Sequence, residues 1–394
     1  MSIEQKNIVI TAAVRTAIGT FRGTLKDIQS HELGSIVIKE AIKKSNLKIN
    51  DIDEVIMGQV LTGGTGQNPA RQAAILAGLS VEKTAYVINQ VCGSGLRSVA
   101  AGYQAILSQD SKIVIAGGQE SMSNALHAVN FRDSQKLEET NLIDMMIKDG
   151  LWDAFNGYHM GVTAENVAKK WKISREEQDD FSLSSQQKAE KAHKEEKFKN
   201  EIVPIIMKDK KTKFEVDEHP RSGMTLERLS KLKPSFKSGG TVTPGNASGI
   251  NDGAAVVVLM HETEAIKRNL KPLAKIVSWA TCGVDPSLMG SGPIPASRLA
   301  LKKAKWKIDE LDLIESNEAF AAQSLAVIKD LEISKNKINV NGGAIALGHP
   351  IGASGTRILV TLLHEMNRRN SKKGLATLCV GGGMGIAMCV ARDF

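Results

Sequence analysis

The chain has 394 residues, of which 42% are hydrophobic and 24% are charged, a balance that is typical of a folded globular protein and excludes a disordered one. At this length we expect roughly two or three domains, each large enough to bury a core. The formal net charge of +8 does not indicate a nucleic-acid partner, because Lys and Arg are interleaved with Glu and Asp instead of forming one basic block.

The amino-terminal segment MSIEQKNIVITAAVRT lacks the basic region and the long apolar run of a secretory signal. No stretch reaches the roughly eighteen uninterrupted apolar residues of a membrane span. The cysteines Cys92, Cys282, Cys379 and Cys389 form no C-x-x-C pair, and they are too few and too scattered for a disulfide framework. We therefore expect a cytoplasmic enzyme or binding protein with free thiols, without a bound metal and without a membrane partner.

From the amino terminus, apolar runs rich in β-branched residues alternate with helical patterns. The predicted strands are IVIT, VIMGQV, YVIN and KIVIAGG, and the predicted helices are SHELGSIVIKEAIKKS and SGLRSVAAGYQAILS. This alternation is typical of α/β units, in which the strands are buried and largely parallel.

The segment VINQVCGSGLRS places Cys92 after a predicted strand and before a helix that begins near Ser94. A thiol at the amino end of a helix lies near the positive end of the helix dipole, which favours the thiolate. Glycines at positions 93 and 95 leave its approach open. A lone cysteine in apolar surroundings is more often an inert small side chain, but the corner position favours a nucleophile here.

Residues from about 119 to 250 break the alternating pattern with Met-rich and polar segments. Within them, Ser174 and Glu177 form an S-x-x-E capping box, which predicts a helix that continues to about Asn200. The following segment KDKKTKFEVDEHPRSG predicts a hairpin or loop at the surface. Long insertions that order themselves are commonly functional, so we expect this one to contribute to a site.

The carboxy-terminal part of the chain repeats the amino-terminal part. AIKKSNLKINDIDEVI matches ALKKAKWKIDELDLIE without gaps at an offset of 259 residues, SGLRSV matches SGTRIL at 260, and IVIAGGQ matches TLCVGGG at 264. Chance similarity of common α/β segments is the alternative explanation. Three matches in the same order indicate two copies of one fold unit. The predicted copies are residues 1–118, completed by about 249–270, and residues 271–394, with 119–248 inserted.

The second copy carries reactive and polar residues at comparable corners. His349 lies in the glycine-rich segment NGGAIALGHPIGASG and is a candidate base for the thiol, although a turn histidine is the plainer reading. Cys379 precedes a run of glycines that begins at Gly381, a backbone able to offer N–H groups to a developing oxyanion. A buried strand cysteine is the alternative, which fits Cys389 and Cys282 better. Asn317 lies where the first copy has Gly58, so that a polar side chain has been introduced at one strand end; a capping or turn role is the alternative.

Four motifs, NQVCGSGLRS, SNEAFAAQ, NVNGGAIALGHPIGASGTR and CVGGGMG, resemble the signatures of the thiolases in their order along the chain. The similarity covers essentially all 394 residues, and within the family the chain resembles the short-chain acetyl-CoA acetyltransferases. The resemblance implies the thiolase fold, in which duplicated α/β halves have mixed five-stranded sheets flanked by helices and a loop domain is inserted.

The resemblance also implies roles for the residues in these motifs. Cys92 would accept the acyl group as a thioester, and His349 would take its proton. Cys379 would act as base and acid in the second half-reaction. Asn317 would hold a water that forms one oxyanion hole with His349, and the backbone N–H groups of Cys92 and Gly381 would form the other.

The inserted segment would handle the substrate. GLWDAFNGYHMG resembles the segment that closes over the acyl pocket, where Leu151, His159 and Met160 would narrow it together with Phe320 of SNEAF. Arg221 of HPRSG and Ser248 of GNASG resemble residues that hold the nucleotide and the pantetheine arm of coenzyme A. A guanidinium beside a phosphate-bearing ligand is physically reasonable, and a surface salt bridge or a loop turn is the alternative.

The activity that the resemblance implies is acetyl-CoA C-acetyltransfer: two acetyl-CoA in equilibrium with acetoacetyl-CoA and CoA. It implies no cofactor, because the CoA thioesters are substrates, and it implies a homo-oligomer, either a dimer or a dimer of dimers. A longer-chain degradative 3-ketoacyl-CoA thiolase is the alternative enzyme, which the narrow-pocket segment argues against. A non-catalytic acyl-CoA-binding relative is the other alternative, although it would be expected to lose Cys92, His349 or Cys379.

Overall fold

The structure, a computed structural model, describes residues 7–130 and 141–393. The residues MSIEQK of the amino-terminal segment and residues 131–140 of the predicted insertion therefore lie outside the described residues. No helix within the two described ranges is long and apolar enough to cross a membrane.

The strands follow the predicted apolar runs closely and add several short pairs in the insertion. In chain order they are β1 (Ile8–Thr16), β2 (Gly19–Thr20), β3 (Glu54–Gly58), β4 (Thr84–Ile88), β5 (Ile113–Ser121), β6 (His127–Ala128), β7 (Ile143–Asp144), β8 (Trp152–Asp153), β9 (Tyr158–His159), β10 (Ile202–Val203), β11 (Ile205–Ile206), β12 (Lys213–Phe214), β13 (Asn251–His261), β14 (Ala274–Gly283), β15 (Leu313–Ser316), β16 (Lys373–Val380) and β17 (Met384–Ala391).

The helix predicted near Ser94 begins at that residue, and the matching segment SGTRIL likewise opens a helix, at Ser354. In chain order they are α1 (Ser30–Lys44), α2 (Pro69–Leu76), α3 (Ser94–Leu107), α4 (Met160–Trp171), α5 (Arg175–Lys194), α6 (Leu226–Ser230), α7 (Glu262–Lys267), α8 (Pro293–Ala304), α9 (Ala321–Asp330), α10 (Ala344–Leu347) and α11 (Ser354–Arg369).

The two halves have the same strand order, which confirms the duplication. The first sheet runs β4-β3-β5-β13-β1, with β3 parallel to both neighbours and β13 antiparallel to both neighbours. The second runs β15-β16-β17-β14 with the corresponding directions. Antiparallel pairing of Val9 with Lys275 and of Ile10 with Ala274 joins β1 to β14, so that the two sheets are continuous. The position that matches β4 is reduced to an isolated bridge between Ile314 and Ile338. Each sheet is thus mixed, with its antiparallel strands at one side.

Residue pairing corrects one of the three sequence matches. Val114 lies opposite Glu54 in the first sheet, and Gly374 lies opposite Leu313 in the second. The equivalent of Val114 is therefore Gly374, a separation of 260 residues, so the match of IVIAGGQ to TLCVGGG at 264 is four residues out of register. Short apolar segments that end in glycine resemble one another in several registers, whereas hydrogen bonding to the neighbouring strand selects one.

The sheets and helices alternate in layers, with α1 and α8 on the outer faces and α3 and α11 between the sheets. The two central helices meet at equivalent glycines. A Cβ on Gly95 would lie 2.8 Å from the backbone N of Thr356, and one on Gly355 would lie 2.4 Å from that of Leu96. Bare backbone at both positions lets the amino ends of the helices approach each other, and the candidate site lies at this meeting point.

The insertion contains the predicted helix and hairpin, with two differences. Ser174 and Glu177 form the capping box, but α5 ends at Lys194 and the turn that follows places Glu196 in the left-handed region. Strands β11 and β12 form a short hairpin, yet the end of the predicted surface segment turns inward. Asp217 is buried there and accepts hydrogen bonds from the buried Arg15, because an unpaired guanidinium would be costly in the core.

Candidate active site

A cavity of about 510 Å³ lies where the β4–α3 corner, the insertion and the loops of the second half meet. Ten of the eleven residues predicted for the site line this cavity: Cys92, Leu151, His159, Met160, Arg221, Ser248, Phe320, His349, Cys379 and Gly381. The remaining one, Asn317, is buried behind His349. The structure therefore brings together residues that are up to 289 positions apart, from Cys92 to Gly381.

Cys92 is held by a tight turn between β4 and α3. The N–H of Gly93 donates to the carbonyl of Gln90 at 2.9 Å, and the N–H of Ser94 donates to that of Val91 at 3.0 Å. Val91 has a φ of 45°, a left-handed conformation that β-branched residues rarely adopt. Such strain is retained at functional sites because the surroundings impose it, and here it presents Cys92 just before the first turn of α3.

The prediction that the helix start makes Cys92 a thiolate is wrong for the free protein. Burial raises the pKa of the Cys92 thiol to about 11, although hydrogen bonds from the backbone N–H groups of Gly381 and of Cys92 itself act in the opposite direction. Removing the thiol from water penalises its charged form more than these donors stabilise it. Cys92 is consequently a neutral thiol that needs a base in order to react.

His349 has the hydrogen-bonding pattern of that base. Ser354 Oγ lies 2.9 Å from the carbonyl of Pro350 and 2.5 Å from Nδ1 of His349. We assign its single hydrogen to the carbonyl, and with this assignment Nδ1 carries the ring proton and Nε2 is the nitrogen that can accept another. Burial, and then the charge of Arg357, lowers the pKa of His349 to about 3, which keeps the imidazole neutral.

Cys379 lies at the end of β16 and is fully buried. Burial, followed by the neighbouring Cys92 thiol, raises the pKa of Cys379 well above its ordinary value. It packs in an apolar cluster with Met160, Met289 and Phe320. The cavity thus contains two protonated thiols, and they lie close enough for Cys92 to affect the pKa of Cys379.

Asn317 lies against the imidazole of His349. Its Nδ2 is 3.5 Å from both ring nitrogens, and its buried Oδ1 has no hydrogen-bond partner among the described residues. A buried amide oxygen without a partner is unusual in a native fold. The unpaired Oδ1 of Asn317 beside His349 can therefore accept a hydrogen bond from a bound molecule.

Comparison with known proteins identifies the family of this chain. Residues 8–263 match the family model of the thiolase N-terminal domain, and residues 270–392 match that of the thiolase C-terminal domain. The chain belongs to the thiolase family. It is 58% identical to an acetyl-CoA acetyltransferase from Rhizobium meliloti (strain 1021), over 98% of this chain and 99% of that one. It is 53% identical to the cytosolic acetyl-CoA acetyltransferase from Mus musculus, over 98% of both chains.

A solved thiolase structure is also similar throughout. The crystal structure of the Bacillus anthracis acetyl-CoA acetyltransferase matches with a TM-score of 0.96 and 45% sequence identity, covering 98% of both chains. The thiolase fold predicted from the sequence motifs is thereby confirmed over nearly the whole length.

The insertion and the SNEAF loop together build one wall of the thiolase cavity from packed rings. His159 Nδ1 accepts from the N–H of Gly161 at 3.0 Å and caps α4, and burial lowers the pKa of His159. Its ring stacks on Phe236 at 4.6 Å between centroids, and Phe236 meets Phe320 edge to face at 6.3 Å. The capped helix and the stacked rings fix the position of Met160 at the start of α4.

The two predicted coenzyme A residues lie at different depths of the cavity. The N–H of Ser248 donates to the carbonyl of Ala319 at 2.9 Å, which ties the GNASG loop to the SNEAF loop. Arg221 is exposed, and its guanidinium has no hydrogen bond or ion pair to any described residue. The salt bridge that was the alternative explanation for Arg221 is therefore not formed with the described part of the chain.

Three residues in or beside this candidate site were missed by the sequence reasoning. Glu120 is buried and accepts from the N–H groups of Val60, Leu61 and Gly352 at 3.0, 3.2 and 2.8 Å. Burial raises the pKa of Glu120 to about 7. The other two, Asn251 and His219, contact each other and are near His349. Their partners are distant in sequence, so no local pattern marks them.

Proposed function

We propose that this thiolase is an acetyl-CoA C-acetyltransferase, which interconverts two acetyl-CoA with acetoacetyl-CoA and CoA. The observation that carries the proposal is the convergence of Cys92, His349 and Cys379 on one cavity. The full-length relatives named acetyl-CoA acetyltransferase support the same activity. Two thiols suit a two-step exchange, because one cysteine cannot carry an acyl group and act as a base at the same time.

In the first half-reaction, Cys92 Sγ attacks the thioester carbonyl of acetyl-CoA while its proton passes to Nε2 of His349. The carbon–sulfur bond to CoA breaks, and the leaving thiolate takes the proton of Cys379. The products are acetyl-Cys92, free CoA, an imidazolium and a Cys379 thiolate. The positive imidazolium and the negative Cys379 thiolate attract each other in the cavity. Before the reaction, burial keeps both groups neutral.

In the second half-reaction, the Cys379 thiolate removes an α-proton from another acetyl-CoA. The resulting carbanion attacks the carbonyl of acetyl-Cys92 and forms the new carbon–carbon bond. Cys92 then leaves as a thiolate and recovers its proton from His349. Acetoacetyl-CoA is released, all three groups return to their starting states, and the same steps in reverse cleave it.

Backbone and amide donors would stabilise the negative oxygens of these steps. The N–H groups of Gly381 and Cys92 already point at the Cys92 sulfur, so a thioester carbonyl formed there would lie next to the same donors. The amide of Asn317 beside His349 supplies the second hole, in which we place a bridging water. The charge on each tetrahedral or enolate oxygen would thus meet a preorganised donor.

The wall formed by His159, Met160, Leu151 and Phe320 supports a short acyl chain, and the full-length relatives support it too, so the longer-chain alternative is not favoured. We assign Ser248 to the pantetheine arm and the unpaired guanidinium of Arg221 to a CoA phosphate. On the proposed division, the half 1–118 supplies the nucleophile, 271–394 supplies the base, and the insertion 119–248 shapes the pocket.

We further propose that the protein is a homo-oligomer, a dimer or a dimer of dimers. Strand β4 is the edge of the first sheet, and Tyr86 on it is exposed together with Ile75, Leu76 and Val81 nearby. An unpaired sheet edge with exposed apolar residues is a surface that native proteins cover. Light scattering during gel filtration tests this, since a monomer would contradict it.

The proposed chemistry requires no cofactor beyond the CoA thioesters, because acid, base and nucleophile all come from the chain. It requires both reactive thiols to be reduced, and all four cysteines are free. Reduced thiols are maintained in the cytoplasm, which together with the cytosolic mouse relative supports a cytoplasmic location.

Mass spectrometry of the protein after mixing with acetyl-CoA tests the function. The expected result is one acetyl adduct on the Cys92 peptide with release of one CoA per subunit, and loss of both in Cys92→Ala. Cys282→Ala is the matched control, since Cys282 does not line the cavity, and it should retain the adduct. An adduct on Cys282 or Cys389 would overturn the assignment.

A further inference from the structure

His219 and Asn251 form a connected pair between the base and the cavity, and neither has a role in the steps proposed above. Asn251 is the first residue of β13 and is completely buried. His219 is half-buried and lines the same cavity as Arg221, Ser248 and His349.

The hydrogen bonds of Asn251 determine the orientation of its amide. Oδ1 accepts from the backbone N–H of His349 at 2.8 Å, and Nδ2 donates to the carbonyl of Gly19 at 2.9 Å. A flipped amide would fail both contacts, because it would face a donor with a donor and an acceptor with an acceptor. Asn251 thus fixes the backbone of His349 relative to the first half of the molecule.

The second hydrogen of Asn251 Nδ2 determines the tautomer of His219. Nδ2 lies 3.4 Å from Nδ1 of His219, so Nδ1 is the acceptor of this contact. Burial, followed by the charge of Arg221, lowers the pKa of His219 to about 4, and the ring is neutral. A neutral imidazole carries one proton, which is therefore on Nε2. That nitrogen has no hydrogen-bond partner among the described residues.

Two glycines allow this close assembly. A Cβ on Gly348 would lie 2.5 Å from Cγ of Asn251, and one on Gly249 would lie 2.2 Å from Cε1 of His219. Both positions border the amide of Asn251 and both must be bare. Because a side chain at either glycine would collide with the pair, the surroundings hold Asn251 and His219 in place. The pair is therefore not a loose surface contact.

We propose that His219 is a further substrate-binding residue, whose Nε2–H donates a hydrogen bond to a carbonyl of the pantetheine arm, and that Asn251 is a positioning residue that holds His219 and His349 in one frame. The inference rests on the proposed function, which supplies the CoA thioester. A neutral donor suits the uncharged amide carbonyls of the arm, whereas a phosphate is better matched by Arg221 at the exposed end.

Contacts with the pantetheine arm can be distinguished from contacts with the nucleotide by measuring thiolysis in the variants His219→Phe and Arg221→Gln. The two substrates are acetoacetyl-CoA and acetoacetyl-pantetheine. Loss of one neutral hydrogen bond is expected to raise KM roughly two- to tenfold. In His219→Phe this rise should be the same for both substrates, with kcat within about twofold of the parent protein. In Arg221→Gln it should occur with acetoacetyl-CoA alone, because the pantetheine substrate has no nucleotide.

His219→Gln keeps an N–H donor and should recover most of the lost affinity. An unchanged KM in His219→Phe, a penalty that disappears with the pantetheine substrate, or a fall in kcat at constant KM would each overturn the proposal. Calorimetric titration of free CoA and pantetheine into the same variants gives the same comparison without turnover. A protein that binds CoA with the expected differences but performs no thiolysis would refute the proposed function and leave this inference supported.

Asn251→Ser tests the positioning role. Because it releases the backbone of His349, the rate of Cys92 acetylation should fall roughly ten- to a hundredfold, and KM should rise as in His219→Phe. The double variant Asn251→Ser/His219→Phe should show no further rise in KM, since the first change already frees the imidazole. Additive effects on KM would show a merely structural role for Asn251. If Asn251→Ser does not fold, Asn251→Asp replaces it in the KM cycle: it keeps the acceptor for the N–H of His349 and loses the donor to His219, so KM should rise while the rate of Cys92 acetylation is retained.

Discussion

Gly348→Ala should uncouple His349 from Asn251. Gly348 has φ 105° and ψ 164°, a region that is essentially restricted to glycine. Forcing alanine into it costs about 1–3 kcal/mol. The new Cβ would also lie 2.5 Å from Cγ of Asn251, and moving that amide leaves the N–H of His349 buried without a partner, at a further cost of about 1–3 kcal/mol. The free energy of unfolding should therefore fall by roughly 2–6 kcal/mol.

The matched control is Gly239→Ala. Gly239 has a φ of 68°, and a Cβ there would meet no atom within 4 Å, so that only the backbone cost of about 1–2 kcal/mol applies. Urea unfolding of both variants at one protein concentration gives the two free energies, and the rate of Cys92 acetylation gives the effect on the site. Equal destabilisation of the two variants, with normal acetylation in Gly348→Ala, would refute the reasoning.

Three other predictions concern the reactive groups and the pocket. Cys379→Ala should still be acetylated by acetyl-CoA, because CoA can leave as a thiolate that takes its proton from water. The variant should lose condensation by about a hundred- to ten-thousand-fold, together with exchange of acetyl-CoA α-protons in heavy water; retained exchange with normal condensation would make another group the carbon base. Burial raises the pKa of Cys92 to about 11, so the thiolate fraction increases with pH up to that value. Alkylation of Cys92 by iodoacetamide should therefore accelerate about tenfold per pH unit between pH 7 and 10. A plateau in this rate below pH 9 would contradict a neutral thiol. Acetoacetyl-CoA should be cleaved with a much higher kcat/KM than eight-carbon ketoacyl-CoA, and Met160→Ala should narrow that difference; equal values in the parent protein would favour the longer-chain alternative.

Local patterns predicted much of the fold because the features concerned are themselves local. The helix starts at Ser94 and Ser354 and the capping box at Ser174 are each specified by a few adjacent residues, and the structure contains all three. Two other features depend instead on hydrogen bonds to neighbouring strands: the isolated bridge at Ile338, which stands where the first sheet has β4, and the register of β16. Sequence periodicity carries little information about those pairings.

The same distinction separates the predicted from the missed residues of the candidate site. Cys92, His349 and Cys379 stand out in glycine-rich motifs, whereas Asn251 acts on a backbone N–H that is 98 residues away. The ionisation state of Cys92 was also mispredicted, because a helix start is visible in the sequence and the burial that outweighs it is not. A residue whose role depends on a distant partner or on desolvation becomes visible only in three dimensions.

The asymmetry of the site follows from the symmetry of the fold. Because Gly95 and Gly355 are equivalent, the duplicated helices α3 and α11 meet with their amino ends together. The turn that precedes each helix therefore lies at the same point of the molecule. The first corner supplies Cys92 and the second supplies His349, so the proposed nucleophile and its proposed base come from two copies of one unit. Neither half contains both groups, and contacts across the halves, such as Asn251 to His349 and Glu120 to Gly352, must therefore set their relative positions. Substitutions at these cross-half contacts should affect acylation more than substitutions of equal cost within either core.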